Sequence, residues 1–252
     1  MTNKKEKLLY INFIISYKCS LNCDYCSLTK EERKQTDFLE IKKFKLYFLQ
    51  LINFYNKNNY DKLVISLTGD ELHTIPNFLN WLQEALEIIE NHVKDIPKEN
   101  IKLKMHTNMF ASKEFYLEQF KMLRDSKRFC EPEFETAYQA MYHSEHNEEL
   151  LHFIIKNISG INYNSSMALR TEEDKNIVKH LPVDSYYVFS KMPKREKPKN
   201  KEINFIMVVK SKGIINGCGY PMDLNLFKLQ DKDFCSDCPH ESCVMLENIN
   251  RI

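Results

Sequence analysis

A chain of 252 residues with 43% hydrophobic and 28% charged side chains has the composition of a soluble globular protein, long enough for one sizeable domain plus a small appendage. Thirty-six Lys and Arg against 35 Asp and Glu leave a formal charge of +1, so no overall field recruits nucleic acid or an anionic membrane. No apolar run reaches bilayer length, and the first seven residues lack the apolar segment of a secretory signal, so a cytoplasmic protein without membrane or nucleic-acid partners is expected.

Leu8–Ser16 reads as a strand. From Asp37 onward, Phe38, Ile41, Phe44, Phe48, Leu51 and Tyr55 recur at helical spacing, with Glu40 three residues after Asp37. Lys62–Thr68 is a second strand, followed by a helix carrying Phe78, Leu82, Leu86 and Ile89. Ile101–Thr107 is a third, followed by a helix that Ser112 is placed to cap. Glu133–Gln139 reads as a strand, Glu148–Asn157 as a helix and Ile161–Leu169 as a strand. Thr171–Leu181 reads as a helix closed by Pro182, and Ser185–Ser190 as a sixth strand. Six strands alternating with helices imply an α/β fold with a parallel sheet, either doubly wound or an incomplete barrel. Both architectures place chemistry at the C-terminal ends of the strands. Lys191–Glu202, rich in Lys and interrupted by Pro193 and Pro198, reads as a solvated basic linker. Ile203–Val209 and Gly213–Asn216 then read as a hairpin.

Eight cysteines in a chain expected to be intracellular point to metal ligation or catalysis rather than disulfides. Directly after the first strand, Cys19, Cys23 and Cys26 form C-x3-C-x2-C. Three thiolates so close together suit three corners of an iron–sulfur cube or, with a distant fourth ligand, a zinc ion. With Tyr25 before the third cysteine, the loop resembles the radical S-adenosylmethionine (SAM) superfamily, whose signature is C-x3-C-x-aromatic-C after the first strand of a partial (β/α)6 barrel resembling a TIM barrel. The resemblance implies that Cys19, Cys23 and Cys26 hold a [4Fe-4S] cluster whose fourth iron is chelated by SAM. Reductive cleavage of SAM then gives a 5′-deoxyadenosyl radical that abstracts a substrate hydrogen. After the second strand, Gly69, Asp70 and Glu71 resemble the family's G-G-E-P segment, which receives the SAM ammonium group, although Asp70 replaces a glycine and Leu72 the proline. After the third, Thr107-Asn108-Met109 resembles a T-N-G turn near SAM, implying a SAM contact for Asn108, with Met109 in place of the glycine.

Beyond the hairpin, Cys218 is followed by Cys235, Cys238 and Cys243 in a C-x2-C-x4-C arrangement. Four thiolates complete a tetrahedral set for either zinc or a [4Fe-4S] cluster. The pattern Gly213…Cys218 with Cys235…Cys238 resembles the SPASM and twitch domains of radical SAM enzymes. With only four cysteines, it matches the shorter form with a single auxiliary [4Fe-4S] cluster.

Cys130 belongs to neither group. It is either a passive thiol or the donor that returns a hydrogen atom to a substrate radical, as in radical SAM peptide epimerases. His143, His146 and His152 are not spaced to share one helical face and read as solvated. The resulting expectation is an oxidoreductase with a barrel over residues 1–190, a linker over 191–202 and an auxiliary-cluster domain over 203–252. Its substrate is expected to be a peptide or small protein, with a flavodoxin or ferredoxin as electron donor. A barrel beginning near residue 8 leaves the expectation that any leader-peptide recognition falls to a separate protein or to the barrel mouth. A small-molecule substrate and a non-enzymatic protein with two structural zinc sites are the alternatives.

Overall fold

The computed structural model describes residues 7–21, 30–69, 71–139, 144–169, 176, 180–181, 185–188, 203–210 and 213–216. Strand β1 (Leu8–Ile14) leads through a short α1 (Lys30–Arg33) to α2 (Ile41–Lys57). Then come β2 (Lys62–Thr68), α3 (Phe78–Val93), β3 (Ile101–Thr107), α4 (Lys113–Ser126), β4 (Glu131–Gln139), α5 (Glu145–Asn157), β5 (Asn162–Leu169) and β6 (Ser185–Val188). A final hairpin is formed by β7 (Ile203–Lys210) and β8 (Gly213–Asn216). All eight strands lie in one sheet, in the order β6-β5-β4-β3-β2-β1-β7-β8. Strands β1 to β6 are parallel to their neighbours, β7 is parallel to β1, and only β8 is antiparallel. From β1 to β6 each strand lies beside its successor with no reversal of order. This succession is compatible with a partial barrel.

Period-two alternation divides the strands between two chemistries. On one face Leu9, Ile11 and Phe13 of β1, Leu63, Ile65 and Leu67 of β2, Leu103 and Met105 of β3, and Phe134 of β4 are fully buried. They belong to the same core as the apolar stripes of α2 to α5. Rings interlock there: Phe13 lies 4.7 Å from Phe44, and Phe120 meets Phe134 edge-on at 5.0 Å. At about 1.5–3 kcal/mol for each large side chain buried, this face supplies the main driving force for folding. The opposite face carries Asn12, Ser66, Thr68, Lys104, His106, Glu133 and Glu135, and is described below.

The described elements follow the sequence reading closely, with shifts at their ends. β1 stops at Ile14, and Ser16 forms an isolated antiparallel bridge with Phe38, so the helix expected from Asp37 begins at Ile41. α5 begins at Glu145 rather than Glu148 because the Ser144 hydroxyl accepts the Asn147 N–H at 3.3 Å. Ser112 caps α4 as expected, accepting the Phe115 N–H at 3.3 Å. The linker and most of the expected helix Thr171–Leu181 lie outside the described residues. Among the described residues, no helix is long and apolar enough to cross a membrane.

Candidate functional site

Parallel strands send their connecting loops out at a common end, and three of the sequence-predicted segments meet there. Leaving β1, the chain stays against β2: Ile15 N–H donates to the Thr68 carbonyl at 2.8 Å. Cys19 follows, half-buried, with its N–H donating to the Arg33 carbonyl at 3.1 Å. The next N–H, of Ser20, donates to Glu71 Oε1 at 2.6 Å, so the loop after β1 is joined directly to the turn after β2. Cys23, Tyr25, Cys26 and Asp70 lie outside the described residues.

Gly69 is there because of space. A Cβ at this position would stand 2.4 Å from Leu72 Cδ2, so glycine leaves room for the Leu72 side chain within the turn. Glu71 is 6% exposed, and among the described residues no ion pair reaches it. The carboxylate favours the charged form of His73, whose pKa burial nevertheless lowers.

The turn after β3 is similarly fixed, and similarly incomplete. Asn108 is 4% exposed, and neither its side-chain oxygen nor its nitrogen has a hydrogen-bond partner among the described residues. Met109, in place of the glycine of the resemblance, has φ +64°, a left-handed conformation that glycine adopts freely and methionine adopts at a cost. The conformation is held from three sides: Met109 N–H donates to Thr107 Oγ1 at 3.1 Å, Tyr116 OH lies 2.9 Å from Thr107 Oγ1, and Asn147 Nδ2 donates to the Met109 carbonyl at 3.3 Å.

The polar face of the sheet was not anticipated from sequence. Asn12, Ser66, Lys104, Glu133 and Asn162 form one row across five neighbouring strands. Lys104 Nζ lies 2.9 Å from Glu133 and 3.3 Å from Glu135, and Lys102 adds a contact to Glu133 at 3.2 Å. His106 lies 3.4 Å from Glu135 through Nδ1 and 3.0 Å from Ser66 Oγ through Nε2. Ser66 in turn contacts Thr68, whose hydroxyl donates to Asn12 at 2.6 Å. Burial alone lowers the Lys104 pKa, but Glu135 and Glu133 outweigh it and hold the ammonium above its ordinary value. Burial likewise pushes the Glu133 carboxyl up, and Lys104 and Lys102 bring it below its ordinary value. His106 is lowered by burial in spite of Glu135, which favours a neutral imidazole. The signal in the sequence was the alternation of Lys102, Lys104 and His106 on one strand against Glu131, Glu133 and Glu135 on the next.

Cys130 lies apart from these segments. It precedes β4, at the end of the parallel sheet opposite the one from which Cys19 emerges. It is 2% exposed, its thiol donates to the Ser126 carbonyl at 3.3 Å, and burial pushes its pKa up to about 12. A thiol so placed packs the N-terminal end of the sheet. His146 is exposed, and His152 is largely exposed beside Glu148 at 3.9 Å, as solvated groups; His143 lies outside the described residues. Cys218, Cys235, Cys238 and Cys243 also lie outside them, and among the described residues no three His, Cys, Asp or Glu side chains are grouped to hold a metal ion. No protein-family model matches the chain, and no curated protein matches it.

Proposed function

We propose that the protein is a cytoplasmic radical SAM enzyme that modifies a peptide or small protein. In this reading the sheet and its helices form a partial (β/α)6 barrel. Cys19, Cys23 and Cys26 hold the [4Fe-4S] cluster that binds SAM, and Cys218, Cys235, Cys238 and Cys243 hold an auxiliary [4Fe-4S] cluster in a C-terminal domain. The observation that carries the reading is the junction of the first cysteine's loop with the turn after β2, where the Ser20 N–H donates to the buried Glu71 Oε1, together with the buried Asn108 at the next strand end, whose amide atoms have no hydrogen-bond partner among the described residues. A ligand with an ammonium group and further donors and acceptors suits a buried carboxylate and a buried amide, and SAM is such a ligand.

When bound, the cluster and SAM supply an organic radical able to remove a hydrogen atom from substrate. The chain's own groups bind and orient. Glu71 pairs with the ammonium group while its Oε1 holds the Ser20 N–H. Gly69 gives the β2 turn room for the Leu72 side chain, Tyr25 and Asp70 complete the two segments, and Asn108 would hydrogen-bond the bound ligand. The polar row from Asn12 to Asn162 lines the inner face of the barrel, where fixed hydrogen bonds orient a substrate and exclude free water. A flavodoxin or ferredoxin delivers the electron.

Anaerobic preparation tests this. The expected protein is brown, carries about eight irons in two clusters, and releases 5′-deoxyadenosine after reduction with SAM present. Cys23→Ala abolishes that release, whereas Cys235→Ala keeps it and loses the substrate product. A colourless protein with about two zinc ions and no SAM cleavage overturns the proposal in favour of a structural zinc protein. SAM cleavage coupled to turnover of a small molecule instead overturns the peptide assignment alone.

A further inference from the structure

A line of four contacts crosses the polar face of the sheet from β4 to β1. His106 Nδ1 faces Glu135 at 3.4 Å, and its Nε2 meets Ser66 Oγ at 3.0 Å. Ser66 Oγ meets Thr68 Oγ1 at 3.1 Å, and the Thr68 hydroxyl donates to Asn12 Oδ1 at 2.6 Å. That last distance is short for N–H···O and ordinary for O–H···O, so its hydrogen belongs to Thr68. Each contact needs one hydrogen. A neutral imidazole supplies one, Ser66 one and Thr68 one, so three hydrogens serve four contacts. With the ring hydrogen on Nδ1 toward Glu135, Ser66 donates to Nε2, and the oxygens of Ser66 and Thr68 face each other with none between them. An imidazolium supplies the fourth hydrogen. Nε2 then donates to Ser66, Ser66 to Thr68, and Thr68 to Asn12.

We propose that protonation of His106 is a switch for this face, reversing the hydrogen bond between His106 and Ser66 and locking Thr68 onto Asn12. In the neutral state the Thr68 hydroxyl has two acceptors within reach, Ser66 and Asn12. In the protonated state Ser66 donates to Thr68, and Asn12 alone remains for the Thr68 hydrogen. Thr68 ends β2 and Asn12 lies near the end of β1, the strands that lead to Glu71 and Cys19, so a proton taken up beside β4 ties these two strands together next to the candidate site. The groups facing His106 among the described residues set how readily the proton enters. Glu135 and Glu133 of β4 favour it, and Lys104 of its own strand opposes it. From β2 come the hydroxyls of Ser66 and Thr68, and from β1 the Tyr10 hydroxyl, itself bonded to Ser66. Burial is the largest influence and opposes the proton, so the ring is neutral at pH 7 and the switch lies on the acid side of the ordinary histidine value of 6.5. The switch stands independently of the radical SAM reading.

The full-length chain, labelled with nitrogen-15 at histidine, is titrated by NMR from about pH 8 to about pH 5 as wild type, Thr68→Val and Thr68→Ser, with His106→Gln to assign the signal. At the alkaline end the wild-type ring is expected to carry its hydrogen on Nδ1, and on acidification to gain a second on Nε2. No hydrogen bond joins Thr68 to His106, yet Thr68→Val removes the acceptor that the Ser66 hydroxyl needs only in the protonated state. The midpoint in Thr68→Val is therefore expected about one pH unit below that of the wild type, the worth of one hydrogen bond, and Thr68→Ser restores it. The wild-type tautomer and titration decide the matter even where a variant does not fold. A neutral ring with its hydrogen on Nε2, no second ring hydrogen down to the acid end, or an unchanged midpoint in folded Thr68→Val overturns the switch.

Discussion

Lys104 holds two carboxylates on the polar face of the sheet with a single ammonium. Its side chain is 4% exposed, and those of Glu133 and Glu135 are about a tenth exposed. Removing Lys104 leaves Glu133 with Lys102 alone and Glu135 with a His106 that burial keeps toward its neutral form, at a cost of about 3–5 kcal/mol. Lys104→Met is therefore expected to destabilise the protein by about that amount at neutral pH, read from urea unfolding. The sign of the pH dependence follows from Glu133. Its pKa is held below the ordinary carboxylate value of 4.5, so its contribution is present above that value and is lost as the pH falls through the lowered folded value. Lys104→Met removes the largest influence holding the Glu133 pKa down, so acidification costs the variant less than the wild type. The stability gap should be widest near pH 7 and narrow toward about pH 4; an unchanged gap would remove Lys104 from the network. The alternating charges of Lys102, Lys104 and His106 and of Glu131, Glu133 and Glu135 were visible in the sequence. What was not visible is that β3 and β4 are neighbours in the register that sets Lys104 against Glu133, because pairing is decided between strands and not within either one.

The turn after β3 is shaped by the two helices that follow it. Tyr116 of α4 is fully buried, and its hydroxyl both contacts Thr107 Oγ1 at 2.9 Å and accepts the Ala111 N–H at 3.3 Å. Asn147, on the first turn of α5, holds the Met109 carbonyl. Tyr116→Phe keeps the ring in the core and deletes only the hydroxyl, at a cost of about 1–3 kcal/mol for the partners left unsatisfied. Asn108 lies between Thr107 and Met109, so under the proposed function loosening the turn is expected to weaken SAM binding several-fold in calorimetry. A helix support with no bearing on the site would change stability and leave the SAM affinity unaltered. Sequence analysis located this element but not its bracing. Ile101–Thr107 and Ser112 were legible because a strand run and a cap are local patterns. The left-handed Met109 was not, because a methionine gives no local sign of positive φ. The start of α2 was misplaced for the opposite reason: Asp37 and Glu40 resemble a capping box, but the bridge between Ser16 and Phe38 keeps this stretch extended.

At the scale of the whole molecule, the succession of six strands and the apolar stripes of the helices were readable because each is periodic along the chain. The place of the hairpin was not. Its sequence marks β7 and β8 as a pair but says nothing of a third strand, and the structure sets β7 parallel to β1, from Leu8 beside Ile203 to Phe13 beside Val209. The strand that leads into the cysteine loop is therefore covered on its outer edge by a segment nearly two hundred residues away in sequence. That pairing makes a demand that a self-sufficient barrel over residues 1–190 does not. Cutting the chain after residue 190 should leave the N–H and C=O groups of β1 unpaired along that edge and present a template for aggregation. The truncated chain is expected to unfold at a clearly lower temperature than the full chain and to lose amide-exchange protection in Leu8–Ile14 first, because that strand would become the new edge. Strand β3 supplies the internal control. It lies between β2 and β4, so its amides should keep their protection relative to global stability. Equal melting temperatures and undiminished protection of β1 would mean that the first 190 residues form a complete folding unit and that the β1–β7 pairing contributes little to it.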